Sequence, residues 1–503
     1  MIDARRVPRL AAVDARRVPR LAAADAGTVL LVALVAAVGW RGMTTAGRDF
    51  SLDARAHLEY AQYFSHHFAP PPESQNYEFF NPPLFAMVAI ALEAAMRAVP
   101  SWGPGLGAAG IVVWLAAVAA GTTAIASARP RIRLLGVVGL ALAVLAALDA
   151  VLGLGASGDW YSGQVISLAA TLGLVAVAVL VGRELWPERP WLALGTGAVV
   201  VAYPVVLRLG ILFHPEALFA LLASLALLLG LRAARTSWSV RRGLGLGVVC
   251  GLAALTRASA LAAVVALLAV ALVAGRRGAL GFAVACLGAL AVVAGPWWIA
   301  AYHLWGNPLE SNLDRPGYML PHGQPLSFYV SAPLRTLVVH PYRPNFENQL
   351  LPKLHAELWS DWFGGLTHLW AHPTRLQRVT ASTQSVLGFA GDALALAGLA
   401  LAGIPAVVRL VRLHDRRAVA WAFVTVFCVL AFAAFVATLV RYPQTEGDPI
   451  KTSYLLFTAP CWAALAVAAW ERLRARIPVV GAAVAAVGVV YAGSYAVTLA
   501  GVF

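Results

Sequence analysis

Along almost the whole chain, runs of roughly 20 apolar residues alternate with short polar connections, and that is the length a helix needs to cross about 30 Å of hydrocarbon. Reading these runs as spans places helices near 27–47, 105–128, 132–154, 163–182, 190–208, 214–231, 243–256, 258–275, 279–301, 384–408, 418–440, 453–471 and 477–500. The pattern predicts an all-α polytopic membrane protein of about 13 transmembrane helices. The stretch 243–275 is too long for one ordinary span and is interrupted by Thr256 and Arg257, so it reads as two short helices meeting near one membrane surface. Gly243, Gly247 and Gly251 recur there at four-residue spacing, the pattern of close helix packing. The apolar piece from Pro82 to Val99 is different. It carries Glu93 and Arg97 and sets Leu84, Phe85, Val88, Leu92 and Met96 along one helical face, which predicts an interfacial helix instead of a span.

Composition agrees with this pattern: 60% of residues are hydrophobic and 12% charged, with a mean hydropathy of +0.75, too apolar for a chain that covers itself with polar surface. The net charge of +14 invites a nucleic-acid reading, but the arginines sit in short clusters between apolar runs and form no single basic surface. With the N-terminus inside, the inner connections collect Arg129, Arg131 and Arg133, then Arg183 and Arg189, then Arg232, Arg235, Arg241 and Arg242. Later connections add Arg276 and Arg277, then Arg409, Arg412, Arg416 and Arg417, then Arg472, Arg474 and Arg476. The positive-inside rule is obeyed at every one, whereas counting 82–99 as a span inverts everything after it.

The expected organisation is a cytoplasmic Arg-rich tail over 1–26, carrying the tandem DARRVPRLAAV and DARRVPRLAAA, then an N-terminal transmembrane module over 27–301 that includes a first outer loop, 48–104. An outer loop over 302–383 and C-terminal transmembrane helices over 384–503 complete it. The first apolar run lacks a small-residue cleavage site and is too long for a signal-peptide core, so it is expected to stay as an anchor. The loop over 302–383 is too long for an idle connection and is expected to fold as a small lid. Cys250, Cys286, Cys428 and Cys461 fall inside apolar runs and read as small buried residues.

Candidate chemistry lies in the outer segments 48–104, 302–383 and 441–452. The first reads GRDFSLDARAHLEYAQYFSHHF and ends in NYEFFNPPLF. Asp53, His57 and Tyr60 share a helical face and Asp49 lies one short turn earlier, so acids and an imidazole converge at the membrane surface as a general base or a metal site. The competing reading makes Asp53 a helix cap. In LFHPEALFALL, His214, Pro215 and Glu216 stand at the outer start of a span; Glu216 either favours the helix dipole or completes a metal or acceptor site. Arg257 offers planar, charge-assisted bonds to a phosphate, or snorkels to the surface. Within the lid, LPKLHAELWSDWFGG offers Lys353, His355, Glu357 and Asp361 with rings suited to stacking on sugars. Docking of the loop on lipid is the other reading for Trp359, Trp362 and Trp370. Gly105, Gly107 and Gly110 satisfy GxGxxG, but no strand precedes them and a membrane helix follows, so the motif is weak evidence for nucleotide binding.

An acid followed by a helix with a His-aromatic pattern, then a Pro-Pro-Leu segment leading into an interfacial helix, resembles the GT-C fold integral membrane glycosyltransferases, among them bacterial aminoarabinose transferases and protein O-mannosyltransferases. The resemblance implies that Asp53, or else Asp49, is the catalytic acid of the first outer loop and that Glu216 is the second acidic position. It implies that Arg257 contacts the donor phosphate, that Lys451 and Tyr454 of GDPIKTSYLLFTAP flank the donor headgroup, and that His57, Tyr60 and His214 lie beside the substrate. The implied reaction moves a sugar, with inversion, from a polyprenyl-phosphate donor to a glycan, lipid or protein acceptor on the outer face of a bacterial plasma membrane. Asp53 and Glu216 would share a divalent metal, Mg or Mn. The chain departs from the relatives at Ala54, where an acidic pair is common, and at Ala300 and Ala301, where polar or basic residues are frequent.

Two other classes compete. A transporter needs helices broken near the midplane and ionisable groups on a pathway; Asp149 and Asp392 are the only acids well inside apolar runs, and no matching halves are visible. A polymerase or ligase of cell-surface polysaccharide would use a pyrophosphate-linked donor, with its acid or arginine cluster concentrated in the lid.

Overall fold

Hydrocarbon offers no water to backbone N–H and C=O groups, so a chain this apolar must satisfy them within its own helices. The computed structural model describes residues 17–45, 52–98, 160–275, 278–311, 320, 322–339, 341, 349–360, 374–443 and 451–502, and among these there is no strand. The expected spans 105–128 and 132–154, together with Asp49, Asp149, Asp361, Trp362 and Trp370, lie outside the described residues.

In chain order the helices are α1 (Arg17–Thr45), α2 (Leu52–His67), α3 (Leu84–Ala98), α4 (Ser162–Leu185), α5 (Pro190–Ala202), α6 (Pro204–Gly210), α7 (Glu216–Thr236), α8 (Val240–Ala254), α9 (Ala260–Ala274) and α10 (Ala279–Trp305). Three short helices of the segment 302–383 follow, α11 (Leu326–Val330), α12 (Leu334–Val339) and α13 (Leu350–Trp359). The rest are α14 (Arg375–Gly398), α15 (Ile404–Leu413), α16 (Val419–Arg441), α17 (Ala459–Arg476) and α18 (Pro478–Val502), with a 3-10 segment, Thr452–Thr458, leading into α17. Among the described residues, eight helices are long and apolar enough to cross a membrane, or nine if one bent pair counts as a span.

That bent pair covers the span expected at 190–208: α5 and α6 meet at Tyr203 with a 70° bend. Pro204 removes a backbone donor and crowds the preceding turn, which is enough to break the helix there. The span expected at 384–408 is longer than its apolar core, running from Arg375 to Leu413 over 39 residues through a π-helical turn at Leu399–Gly403. The break at Thr256 and Arg257 forms where expected. At 15 residues each, α8 and α9 are about 22 Å long, and Arg257 sits at their junction.

Helix α4 defines the two ends of the bundle. Near its N-terminus the Gln164 Nε2 donates to Ile211 O at 2.8 Å and Ser167 Oγ donates to His214 O at 3.0 Å. At its other end Glu184 pairs with Arg232 at 3.1 Å and Arg235 at 3.0 Å, Arg189 pairs with Glu471 at 2.7 Å, and Arg183 meets Asp25. These four acid–arginine pairs therefore lie at one end, and His214 marks the opposite one. The four cysteines are buried free thiols, as expected.

The glycine repeat of α8 lets it lie directly on α10. A Cβ at Gly243 or Gly247 would overlap the carbonyl oxygens of Phe282 and Cys286, and one at Gly251 would come within 2.6 Å of Val293 Cβ. Gly245, on another face, has nothing within 4 Å. Gly247→Ala is expected to lower stability by about 1–3 kcal/mol, the usual cost of overpacking. Gly245→Ala should be neutral or slightly stabilising. Thermal unfolding of the two detergent-purified variants checks this, and equal melting temperatures would remove the close-packing role.

Candidate functional site

The first polar loop is built to present its acids. Asp53 lies in the first turn of α2, where a negative charge is favoured by the helix dipole. The return strand of chain is pinned to that helix by asparagines: Asn76 Nδ2 donates to Ala56 O at 2.8 Å, and its Oδ1 accepts Glu78 N at 2.7 Å. Tyr60 hydroxyl donates to Asn81 O at 2.8 Å, and Asn81 Nδ2 donates to Glu78 O at 3.0 Å and to the Glu78 carboxylate. Pro82 and Pro83 then turn the chain into α3, whose Leu84 N–H donates to Leu255 O at the end of α8, 3.0 Å away. This brings the loop beside Arg257.

Four separate stretches meet here. From the last, Lys451 donates through Nζ to Asp53 Oδ2, while Tyr77 hydroxyl lies 3.3 Å from Asp53 Oδ1. Arg257 donates through Nη2 to Glu216 Oε1 and through Nη1 to Asn81 Oδ1 at 2.6 Å, with Glu78 Oε2 at 3.9 Å. His214 presents Nδ1 to Glu216 Oε2 and places Nε2 3.9 Å from Asp53 Oδ2, so a protonated ring bridges the two carboxylates. The Tyr454 ring lies between the cations, 5.8 Å from the Arg257 guanidinium carbon and 6.0 Å from Lys451 Nζ. Three cationic groups thus face Asp53, Glu216 and Glu78.

Burial raises the cost of every charge, and the pairing decides each outcome. For Asp53, burial opposes ionisation, but the Lys451 ammonium and His214 outweigh it and hold the carboxyl well below its usual range. Burial pushes Glu78 up, only partly offset by Arg257. His214 is raised despite its burial, because Glu216 and Asp53 favour the imidazolium. Burial drives His57 well below its ordinary value, assisted by the charges of His214 and Arg257.

The expected sharing of a metal by Asp53 and Glu216 is not the arrangement formed, since Asp53 is drawn to Lys451. The donor atoms that converge are those of His57, His214 and Glu216, all within 4.8 Å of one another. His57 Nε2 is buried without a hydrogen-bond partner among the described residues, and its ring sits edge-on to His214 at 4.6 Å between centroids.

Asp53, His57, His214, Glu216, Arg257, Lys451 and Tyr454 are therefore brought together. Tyr60 is not on the site surface; it is buried and spent on Asn81. Tyr77, Glu78 and Asn81 were missed, although the polar positions of NYEFFNPP, closed by two prolines, were the available signal. In the lid, Lys353, His355, Glu357 and Trp359 are buried, so Trp359 does not present a ring for stacking on a sugar, while Trp362 and Trp370 lie outside the described residues. His355, Glu357 and Trp359 supply the bonds that dock their helix against protein. The chain matches no protein-family model, no curated protein and no solved structure.

The two histidines give opposite pH dependences. His57, lowered in the folded state, stabilises the fold above its unfolded value of about 6.5 and loses that contribution as pH falls toward its depressed folded value. His214, raised, contributes fully below about 6.5, and its contribution is lost as pH rises through the folded value. Stability is expected to peak near pH 6.5, each limb sloping by at most about 1.4 kcal/mol per pH unit. Melting temperatures across pH 5–8 test it: His57→Asn should flatten the acid limb and His214→Asn the alkaline one, and unchanged limbs would overturn the assignment.

Proposed function

We propose that this protein is a GT-C glycosyltransferase that moves a sugar from a polyprenyl-phosphate donor to an acceptor on the outer face of a bacterial plasma membrane. The observation that carries the reading is the meeting of an ionised carboxylate, Asp53, with two cations, Lys451 and Arg257, at one end of an apolar bundle. The arginine-rich connections lie at the other end, and under the positive-inside rule that end and the N-terminus are cytoplasmic. The eight long helices and the bent pair support nine of the expected spans, and the two 15-residue helices are read as two more. The apolar stretches 105–128 and 132–154 would make thirteen.

In this reading Arg257 and Lys451 hold the donor phosphate by charge. Asp53, kept ionised, orients the acceptor hydroxyl and takes its proton as the new bond to the anomeric carbon forms. The bond from that carbon to the phosphate oxygen breaks with its electron pair leaving on the phosphate, and attack from the opposite side inverts the centre. An apolar cavity of about 590 Å³ among α1, α5, α14, α17 and α18, walled by Leu31, Trp191, Trp359, Trp470 and Tyr491, suits a prenyl chain. A divalent ion would be held by His57, Glu216 and, once it gives up its ring proton, His214, a donor set that suits Mn or Zn over Mg. It would supply Lewis acidity toward a phosphate oxygen.

One observation favours a transporter instead, namely the 70° break between α5 and α6 with Arg208 buried beside it. The polymerase reading has less to stand on, because Lys353, His355 and Glu357 of the lid are buried.

Membranes containing the wild type are expected to transfer label from a panel of radiolabelled polyprenyl-phosphate sugars, and Asp53→Asn to lose about 10²–10⁴-fold in rate at equal expression. Equal transfer by both would remove Asp53 from the chemistry, and no transfer from any donor would put the transporter first. For the ion, elemental analysis should find metal in purified wild type and none in His57→Asn; retention at the same stoichiometry excludes this donor set.

A further inference from the structure

Helix α13 belongs to the segment 302–383, yet it is bolted to the bundle. His355 Nδ1 faces Asp392 Oδ2 at 2.6 Å, its Nε2 lies 3.0 Å from Ser385 O, and its ring stacks on Phe389 at 4.3 Å. Trp359 Nε1 donates to Asp392 Oδ1 at 2.7 Å, and Tyr491 hydroxyl donates to Trp359 O at 2.9 Å. Helices α14 and α18 thereby fix α13 in place. From that anchored helix Glu357, fully buried, reaches the beginning of the 3-10 segment, where its Oε2 accepts Thr452 N–H at 2.6 Å. Thr452 Oγ1 donates to Leu354 O at 3.2 Å, a second tie to the same helix. Thr452 follows Lys451 directly.

We propose that Glu357 is a positioning residue for Lys451: by clamping the Thr452 amide it fixes the backbone from which the ammonium reaches Asp53. A carboxylate accepting a backbone N–H makes a short, charge-assisted bond, and such a bond holds one peptide plane far more tightly than a neutral contact. Lysine carries its charge on a flexible four-carbon stem, so its direction depends on where the backbone is held. Removing the clamp leaves the Lys451 side chain intact but frees its origin.

The sequence supplies its own probe. Lys353 and Lys451 are the only lysines in the chain. Lys353 is fully buried on α13, whereas the Lys451 side chain is partly accessible. Acetylation with an N-hydroxysuccinimide ester, followed by mass spectrometry of the two peptides, reads them separately. Lys451 reports its ion pair, and Lys353 reports whether α13 has come loose.

Asp53→Asn sets the labelling rate of a Lys451 that has lost the Asp53 carboxylate. Glu357→Ala is expected to raise Lys451 labelling about fivefold or more toward that rate, with Lys353 still unlabelled, while Glu357→Gln, which keeps an acceptor oxygen, stays within about twofold of wild type. Wild-type labelling of Lys451 in Glu357→Ala overturns the proposal, as does labelling of both lysines together, which would make Glu357 a packing residue only. If Glu357→Ala is not recovered folded, Thr452→Pro, which removes the backbone N–H that Glu357 accepts at the first position of the 3-10 segment, carries the test, with a rise of about two- to threefold expected and no change overturning it. The consequence for catalysis rests on the glycosyltransferase reading: Glu357→Ala should raise KM for the donor about tenfold with a smaller fall in kcat. Labelling needs no turnover, so a failed transfer assay leaves the positioning role standing.

Discussion

Charge buried at the edge of hydrocarbon is the constraint from which the other features of this protein follow. Each ion removed from water costs several kcal/mol even after relaxation, and the cost is recovered only where partners stand in good geometry. Asp53, Glu216, Arg257 and Lys451 come from four distant stretches, and none pairs with a neighbour on its own helix. The bundle must therefore hold four backbones in register at one end. The junction between α8 and α9, the asparagine-pinned loop after α2 and the anchored helix α13 each hold one of them.

How much of this was legible follows from the range of each interaction. Spans, the junction at Arg257 and the α8 glycine face are local periodicities, and each was readable from a few consecutive turns. The bend at Pro204 was readable in principle from the proline, yet an unbroken apolar run concealed it. Seven of the nine anticipated site residues converge, because a polar group at the end of an apolar run has few places to go. The pairing itself was hidden, since Lys451 and Asp53 are separated by 398 positions and no local pattern links them. Local pattern also misled at α13. Its Trp, His, Glu and Lys look like a ligand-facing set, but polar groups can equally be the means by which a loop helix docks on protein.

The charge balance limits what the site can do. Lys451 and Arg257 are already occupied by Asp53 and Glu216, so an incoming phosphate must share them with those carboxylates. Sharing is feasible because burial disfavours ionisation of Glu78 and because the imidazolium of His214 bridges Asp53 and Glu216. The phosphodiester of the proposed donor, singly charged until its phosphate gains a second charge as leaving group, could then draw on both cations while His214 continues to neutralise the acids.

In the proposed reaction such an exchange would also give Asp53 its chemistry. Held by Lys451, its carboxylate is too weak a base to take a proton from an alcohol readily. If the ammonium turns toward a phosphate, the stabilisation that depresses the Asp53 pKa weakens at that moment, and the carboxylate gains basicity only when a donor is in place. Before a donor binds, the Asp53–Lys451 ion pair would keep that basicity low. The geometry of Lys451, and hence of the backbone that carries it, sets how sharply the two states are separated.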